Sequence, residues 1–123
     1  MKISEVIAKL DGLKPNAFAL EDKIGWINEL EWRIKKEIVD THEVTEPVEF
    51  DGYAGEESME QVLIAPAPWD NVYLRWLECM VDYYNGESAR FANSRILFND
   101  AYADFSAWYN RTHKPVKVRM KYF

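Results

Sequence analysis

Residues 68–113 read PWDNVYLRWLECMVDYYNGESARFANSRILFNDAYADFSAWYNRTH, and the fold turns on how this stretch is parsed. Val72, Tyr73, Trp76, Leu77, Met80, Val81 and Tyr84 recur at steps of three and four, the spacing of one helical face over about four turns. Pro68 suits the approach to that helix, because a first-turn residue has no use for the donor that proline lacks. Asn85-Gly86 ends it, glycine accepting the left-handed conformation of a helix terminus without strain. A second helix then runs from Glu87 to about Thr112, with Phe91, Phe98 and Phe105 seven apart and Arg95, Tyr102 and Tyr109 in a parallel row. The stretch is therefore expected to form one long antiparallel helical hairpin over about 69–112, aromatic along most of one face.

Upstream, Ile3, Val6, Ile7 and Leu10 give a short first helix with Ser4 as a candidate cap, ending near Asp11-Gly12 and broken by Leu13-Lys14-Pro15-Asn16. Glu21 and Asp22 open a second helix whose stripe is Ile24, Ile27, Leu30, Ile34 and Ile38, running to about Thr41. Trp26 and Trp32 lie off that stripe, so this helix needs two buried faces or an outside partner. Its start at Ala19-Leu20 carries no strong cap. Glu29, Glu31, Glu37 and Asp40 read as a solvated face rather than acid/base partners.

Between His42 and Glu60 the periodicity dissolves into a stretch with acids at Glu43, Glu46, Glu49, Asp51, Glu56, Glu57 and Glu60, read as a mobile acidic loop over 42–60 that Val48, Phe50 and Tyr53 tie down at points. Gln61 to Ala65 is strand-like. Beyond Pro115, Val116, Val118, Met120 and Tyr122 alternate with Lys117, Arg119 and Lys121, the period of a strand with an apolar and a basic face. A lone strand is unstable, so the basic tail over 114–123 is either frayed or paired, and Gln61 to Ala65 is the candidate partner within this subunit or a neighbour. The fold class that follows is all-α, a single domain over 1–123 built as an antiparallel bundle of about four helices.

Charge is distributed unevenly. Residues 1–110 hold 10 Lys/Arg against 21 Asp/Glu, a balance of −11, whereas residues 111–123 hold Arg111, Lys114, Lys117, Arg119 and Lys121 and no acid. An acidic body argues against general nucleic-acid binding, which draws on cationic neutralisation of phosphates. The single Cys79 excludes an internal disulfide and reads as a small buried hydrophobe. No apolar run approaches the ~20 residues of a membrane span, and the N-terminus lacks the apolar centre of a signal peptide, so synthesis in the cytoplasm without membrane insertion is expected.

The chain carries no phosphate-binding glycine loop and no nucleophile motif. Asp51-Gly52-Tyr53-Ala54-Gly55-Glu56 lacks the alternating oxygens of a calcium loop. His42 and His113 sit at helix ends, where histidine caps carbonyls. No catalytic residue, metal ligand or cofactor site is assigned, and the chain is not expected to be an enzyme.

Longer strings are more specific. Ala65-Pro66-Ala67-Pro68-Trp69-Asp70, Leu74-Arg75-Trp76-Leu77-Glu78, Asp82-Tyr83-Tyr84-Asn85-Gly86-Glu87, Asn93-Ser94, Leu97-Phe98-Asn99-Asp100-Ala101-Tyr102 and Trp108 to Pro115, together with Leu13-Lys14-Pro15-Asn16 and Trp26 to Glu31, resemble small proteins encoded among the head genes of tailed phages and prophages of Gram-positive bacteria. These resemble head-tail connector, or adaptor, subunits. The resemblance implies a non-catalytic structural protein of the virion neck, held in the host cytoplasm before assembly. Its partners would be copies of itself in a ring, the portal protein and tail-side connector proteins, with DNA passing through the ring without specific binding. Lys114, Val116, Lys117, Val118, Arg119, Met120, Lys121 and Tyr122 are then the candidate subunit or portal contacts, and Glu56, Glu57 and Glu60 the candidate channel-facing acids. The alternative from another class is an acidic DNA-mimic inhibitor or another protein-protein interaction module.

Overall fold

Four helices account for most of the computed structural model, which describes residues 1–116: α1 (Ile3–Leu13), α2 (Leu20–Ile34), α3 (Asn71–Tyr84) and α4 (Ser88–Thr112). The protein is all-α. Among the described residues, extended pairing is limited to two isolated antiparallel bridges, Lys2 with Val62 and His42 with Pro115.

Helix α1 buries Ile3, Val6, Ile7 and Leu10, the four positions of its apolar stripe. Its cap differs from expectation. Ser4 lies inside the helix, and the Lys2 backbone N–H donates to Glu5 Oε1 at 3.0 Å, so an acid in the first turn meets an otherwise orphaned donor. After Leu13 the chain turns, and Lys14 reaches back to the hairpin, its Nζ 2.6 Å from Asp82 Oδ1.

Helix α2 begins at Leu20 without a side-chain cap, and Glu21 and Asp22 complement the positive end of its dipole. It widens at its C-terminus into a π-helical turn, Lys35–Val39, which buries both Ile38 and Val39, and so stops just short of Thr41. The two tryptophans off its stripe find different partners. Trp26 stacks on Tyr84 at 5.4 Å between ring centroids and meets Phe18 edge-on, while Trp32 meets Phe50 of the acidic loop at 4.7 Å. Helix α2 thus has loop on one side and hairpin on the other.

The hairpin forms as its periodicity requires. Val72, Tyr73, Leu77 and Val81 of α3 and Phe98, Ala101, Phe105 and Tyr109 of α4 are buried, and Gly86 turns the chain at φ 71°. Pro68 lies in a turn ahead of α3, which opens at Asn71. Tyr84, assigned to the core by spacing, is instead 58% exposed, its ring stacked on Trp26 and met edge-on by Phe18 and Tyr83. One core joins the elements; Tyr73, Phe105, Ile3, Leu10, Ile27 and Leu30 are fully buried within it. Each such side chain contributes on the order of 1.5–3 kcal/mol by removal from water. The Trp76 indole N–H donates to the Trp26 carbonyl at 2.7 Å, tying α3 to α2 across that core.

The strand-like segment has a partner among the described residues, while its expected pairing with the tail falls on 117–123, outside them. Its partner is the N-terminus, with Ile3 N–H donating to Gln61 O at 3.2 Å and Leu63 N–H to Met1 O at 2.9 Å. The described root of the tail pairs instead with the end of α2. Leu63, at 3% exposure, belongs to the core, which fixes the segment on the α1 side of the molecule.

Candidate functional site

Two features converge beside α2: the acidic loop and the root of the basic tail. Glu43 N–H donates to Lys114 O at 2.7 Å and Val116 N–H to Thr41 O at 2.9 Å, flanking the His42 to Pro115 bridge. His42 secures this corner. Its Nδ1 donates to Ile38 O at 2.6 Å, Nε2 lies 2.6 Å from Asn110 Oδ1, and its ring meets Tyr109 edge-on. The capping role expected of His42 is therefore present, whereas His113 stacks on the Tyr109 ring at 3.8 Å and bonds Thr112 Oγ1 rather than a carbonyl. Lys114 and Val116 are exposed. Lys117, Val118, Arg119, Met120, Lys121 and Tyr122 lie outside the described residues.

The loop descends along α2 from His42. Val48, Phe50 and Tyr53 are half-buried and packed toward Trp32 or the core, while Glu49, Asp51 and Gly52 between them are exposed, an alternation that runs from Val48 to Asp51 and breaks at Gly52, where φ is 97°. From Val44 to Ala54 no backbone group bonds another backbone group among the described residues. Tyr53 N–H donates to Asn28 Oδ1 at 2.9 Å instead. The loop then enters a 3-10 turn, Glu56–Glu60, introduced by Gly55 at φ 70° and closed by Ser58 Oγ donating to Gly55 O. Glu56, Glu57 and Glu60 are all exposed on this turn, and Glu60 pairs with Lys2 at 2.9 Å, which raises the Lys2 pKa. Between this stretch and residues 61–64 runs a groove of about 520 Å³ lined by Val48, Phe50, Val62 and Ile64 and rimmed by Glu49, Asp51 and Glu57.

Glu31 holds the loop in place. Assigned to a solvated face, it is completely buried. Its Oε2 accepts from Tyr53 Oη at 2.7 Å and from Ile64 N–H at 3.0 Å, and its Oε1 accepts from Tyr73 Oη at 2.6 Å, while Tyr73 Oη itself accepts from Ala65 N–H. One carboxylate thus fastens α2, the loop, the 64–65 segment and α3. Burial raises the Glu31 pKa, the three donors oppose that rise, and burial with the neighbouring carboxylate pushes both tyrosines up. The signal was in the spacing: Ile24, Ile27, Glu31, Ile34 and Ile38 step by three and four, so Glu31 occupies an inward position.

Elsewhere, Asp82 is buried at the hairpin's turn, paired with Lys14 and accepting from Ser94 Oγ at 2.8 Å. On the other flank of α2, Arg33 stacks over the Tyr102 ring at 4.3 Å, and the Tyr102 hydroxyl donates to Glu37 Oε2, lowering the Glu37 pKa. Cys79 is buried, and burial raises its thiol pKa, the condition of an inert thiol. Among the described residues, no group of three or more His, Cys, Asp or Glu could hold a metal ion, and no helix is long and apolar enough to cross a membrane. Neither a known protein family, nor a curated protein, nor a solved structure matches the chain.

Proposed function

We propose that the chain is a head-tail connector subunit of a tailed phage or prophage, a structural protein that forms a ring between the portal and the tail. The reading draws on the sequence resemblance, and one observation supports it physically. A strand-patterned basic segment leaves an acidic helical body at a defined corner, where Lys114 to Val116 pair with Thr41 to Glu43. Head-to-tail rings need two different complementary surfaces on each subunit, and a cationic extension with an acidic loop supplies such a pair. In this reading Lys114 to Tyr122 make the neighbour or portal contact. Glu56, Glu57 and Glu60 line the DNA path, their charge repelling phosphates so that DNA slides without sticking.

The test is composition. A strain carrying the gene is induced, tailed particles are purified on a density gradient, and this protein is quantified against the portal protein by mass spectrometry. A fixed stoichiometric ratio is expected. Absence from both tailed particles and tailless heads contradicts the reading and turns attention to an inhibitor, which would bind a basic partner with steep salt dependence.

A further inference from the structure

Helix α4 is apolar on two faces. The inner one, with Phe98, Ala101, Phe105 and Tyr109, is buried in the core. The outer one carries Ala89, Ala103 and Ala107, all exposed, and in mid-helix Ile96 at 58% and Leu97 at 46% exposure stand side by side. A helix face left to water is normally polar and charged, and a helix apolar all round is covered on both sides. Among the described residues nothing covers this face.

The charges on the face define what fits it. Arg90, Leu97 and Asp104 lie seven apart, two turns at each step, and so form one row along the helix. The row is positive at its N-terminal end, apolar at its centre and negative at its C-terminal end, which makes it complementary to itself reversed. Laid antiparallel on an identical helix about a two-fold axis at Leu97, Arg90 meets Asp104 of the second copy and Asp104 meets its Arg90, the isologous arrangement in which each contact occurs twice. The adjoining rows agree with that register. Ile96 comes beside Leu97 of the second copy, and Asn93 comes level with its Asp100, an amide donor beside a carboxylate, the kind of polar pair that fixes register between helices. A parallel pairing would set Arg90 on Arg90 and Asp104 on Asp104. Arg90, Asn93, Asp100 and Asp104 are all exposed, and Arg90 is held only by an exposed pair with Glu87 at 3.3 Å, which a second partner can replace.

We propose that two copies of this chain pair through the outer faces of α4, antiparallel and centred on Leu97. The contact does not depend on the connector reading, whose test is the composition of particles. The isolated full-length protein is expected to dimerise reversibly in sedimentation equilibrium below about 1 mM. R90D and D104R each set like charges against one another twice and should weaken dimerisation at least about tenfold with helicity unchanged. An equimolar mixture of the two should recover pairing as a 1:1 heterodimer, because each substituted position then faces its opposite charge. Leu97→Cys should give a disulfide-linked dimer on mild oxidation and Arg90→Cys should not, since the two-fold axis brings position 97 to itself and leaves the two positions 90 about 21 Å apart along the helix. If a charge reversal lowers helicity, the cysteine pair decides. A monomer throughout that range, a dimer indifferent to both reversals, a mixture no stronger than its components, or equal cross-linking at the two positions overturns the proposal. Species that grow beyond two copies indicate a head-to-tail contact and overturn it equally.

Discussion

Glu31 accepts from three groups on three separate segments, and each of those donors would be orphaned without it. The energetic consequence appears most cleanly at its partner. Tyr73→Phe removes one hydroxyl from a fully buried ring without changing the packing, leaves Ala65 N–H and Glu31 Oε1 short of a partner, and should cost about 1–3 kcal/mol in urea denaturation. The pH dependence follows from the raised Glu31 pKa. Folding favours its protonated form, so its contribution is complete below the ordinary value of 4.5 and is lost as pH rises through the higher folded value. Glu31→Gln should abolish that slope, which melting curves from pH 4.5 upward will register. The Lys14–Asp82 pair tests a different liability. Lys14→Met leaves a buried, Ser94-bonded carboxylate without its cation and should destabilise by roughly 3 kcal/mol, a loss Asp82→Asn restores in part. Lys14 could not be paired from sequence, because Asp82 lies 68 positions away and nothing local connects them.

Elements with strong local signals were legible. The hairpin's limits, its turn at Gly86 and the inward faces of α3 and α4 follow from apolar periodicity and one positive-φ glycine. Gly86→Ala, placed in open space but at φ 71°, should cost about 1–2 kcal/mol through backbone strain alone, measured as a fall in melting temperature. Elements set by tertiary context were not. The strand-like Gln61 to Ala65 was offered as the tail's partner because no other segment reads as a strand; its pairing with the N-terminus, where Leu63 joins the core, has no local signal, and the tail residues 117–123 lie outside the described residues. In the loop, Phe50 and Tyr53 were legible as anchors, but their partners Trp32, Asn28 and Glu31 on α2 were not. Tyr53→Phe removes one donor to Glu31, so limited proteolysis within 44–57 should accelerate while far-ultraviolet circular dichroism stays unchanged. Unchanged cleavage would mean that the hydroxyl does not restrain the loop.

Across the whole molecule, the acids of the 43–60 loop and the cations beyond Arg111 are far apart in the chain but begin from one corner, where Lys114 lies against Glu43. The acids of the loop and the cations of the tail could be read as a charge pattern; the common root of loop and tail beside α2 could not, because it depends on the His42 to Pro115 bridge. The most direct measurement counts copies of the chain in purified particles relative to portal protein, for the full-length protein and for a version lacking residues 117–123. A fixed ratio is expected for the full chain and none for the truncated one, whose helicity and melting in solution stay close to those of the parent. Truncated protein incorporated at the same ratio, or full-length protein missing from every particle, would contradict that expectation.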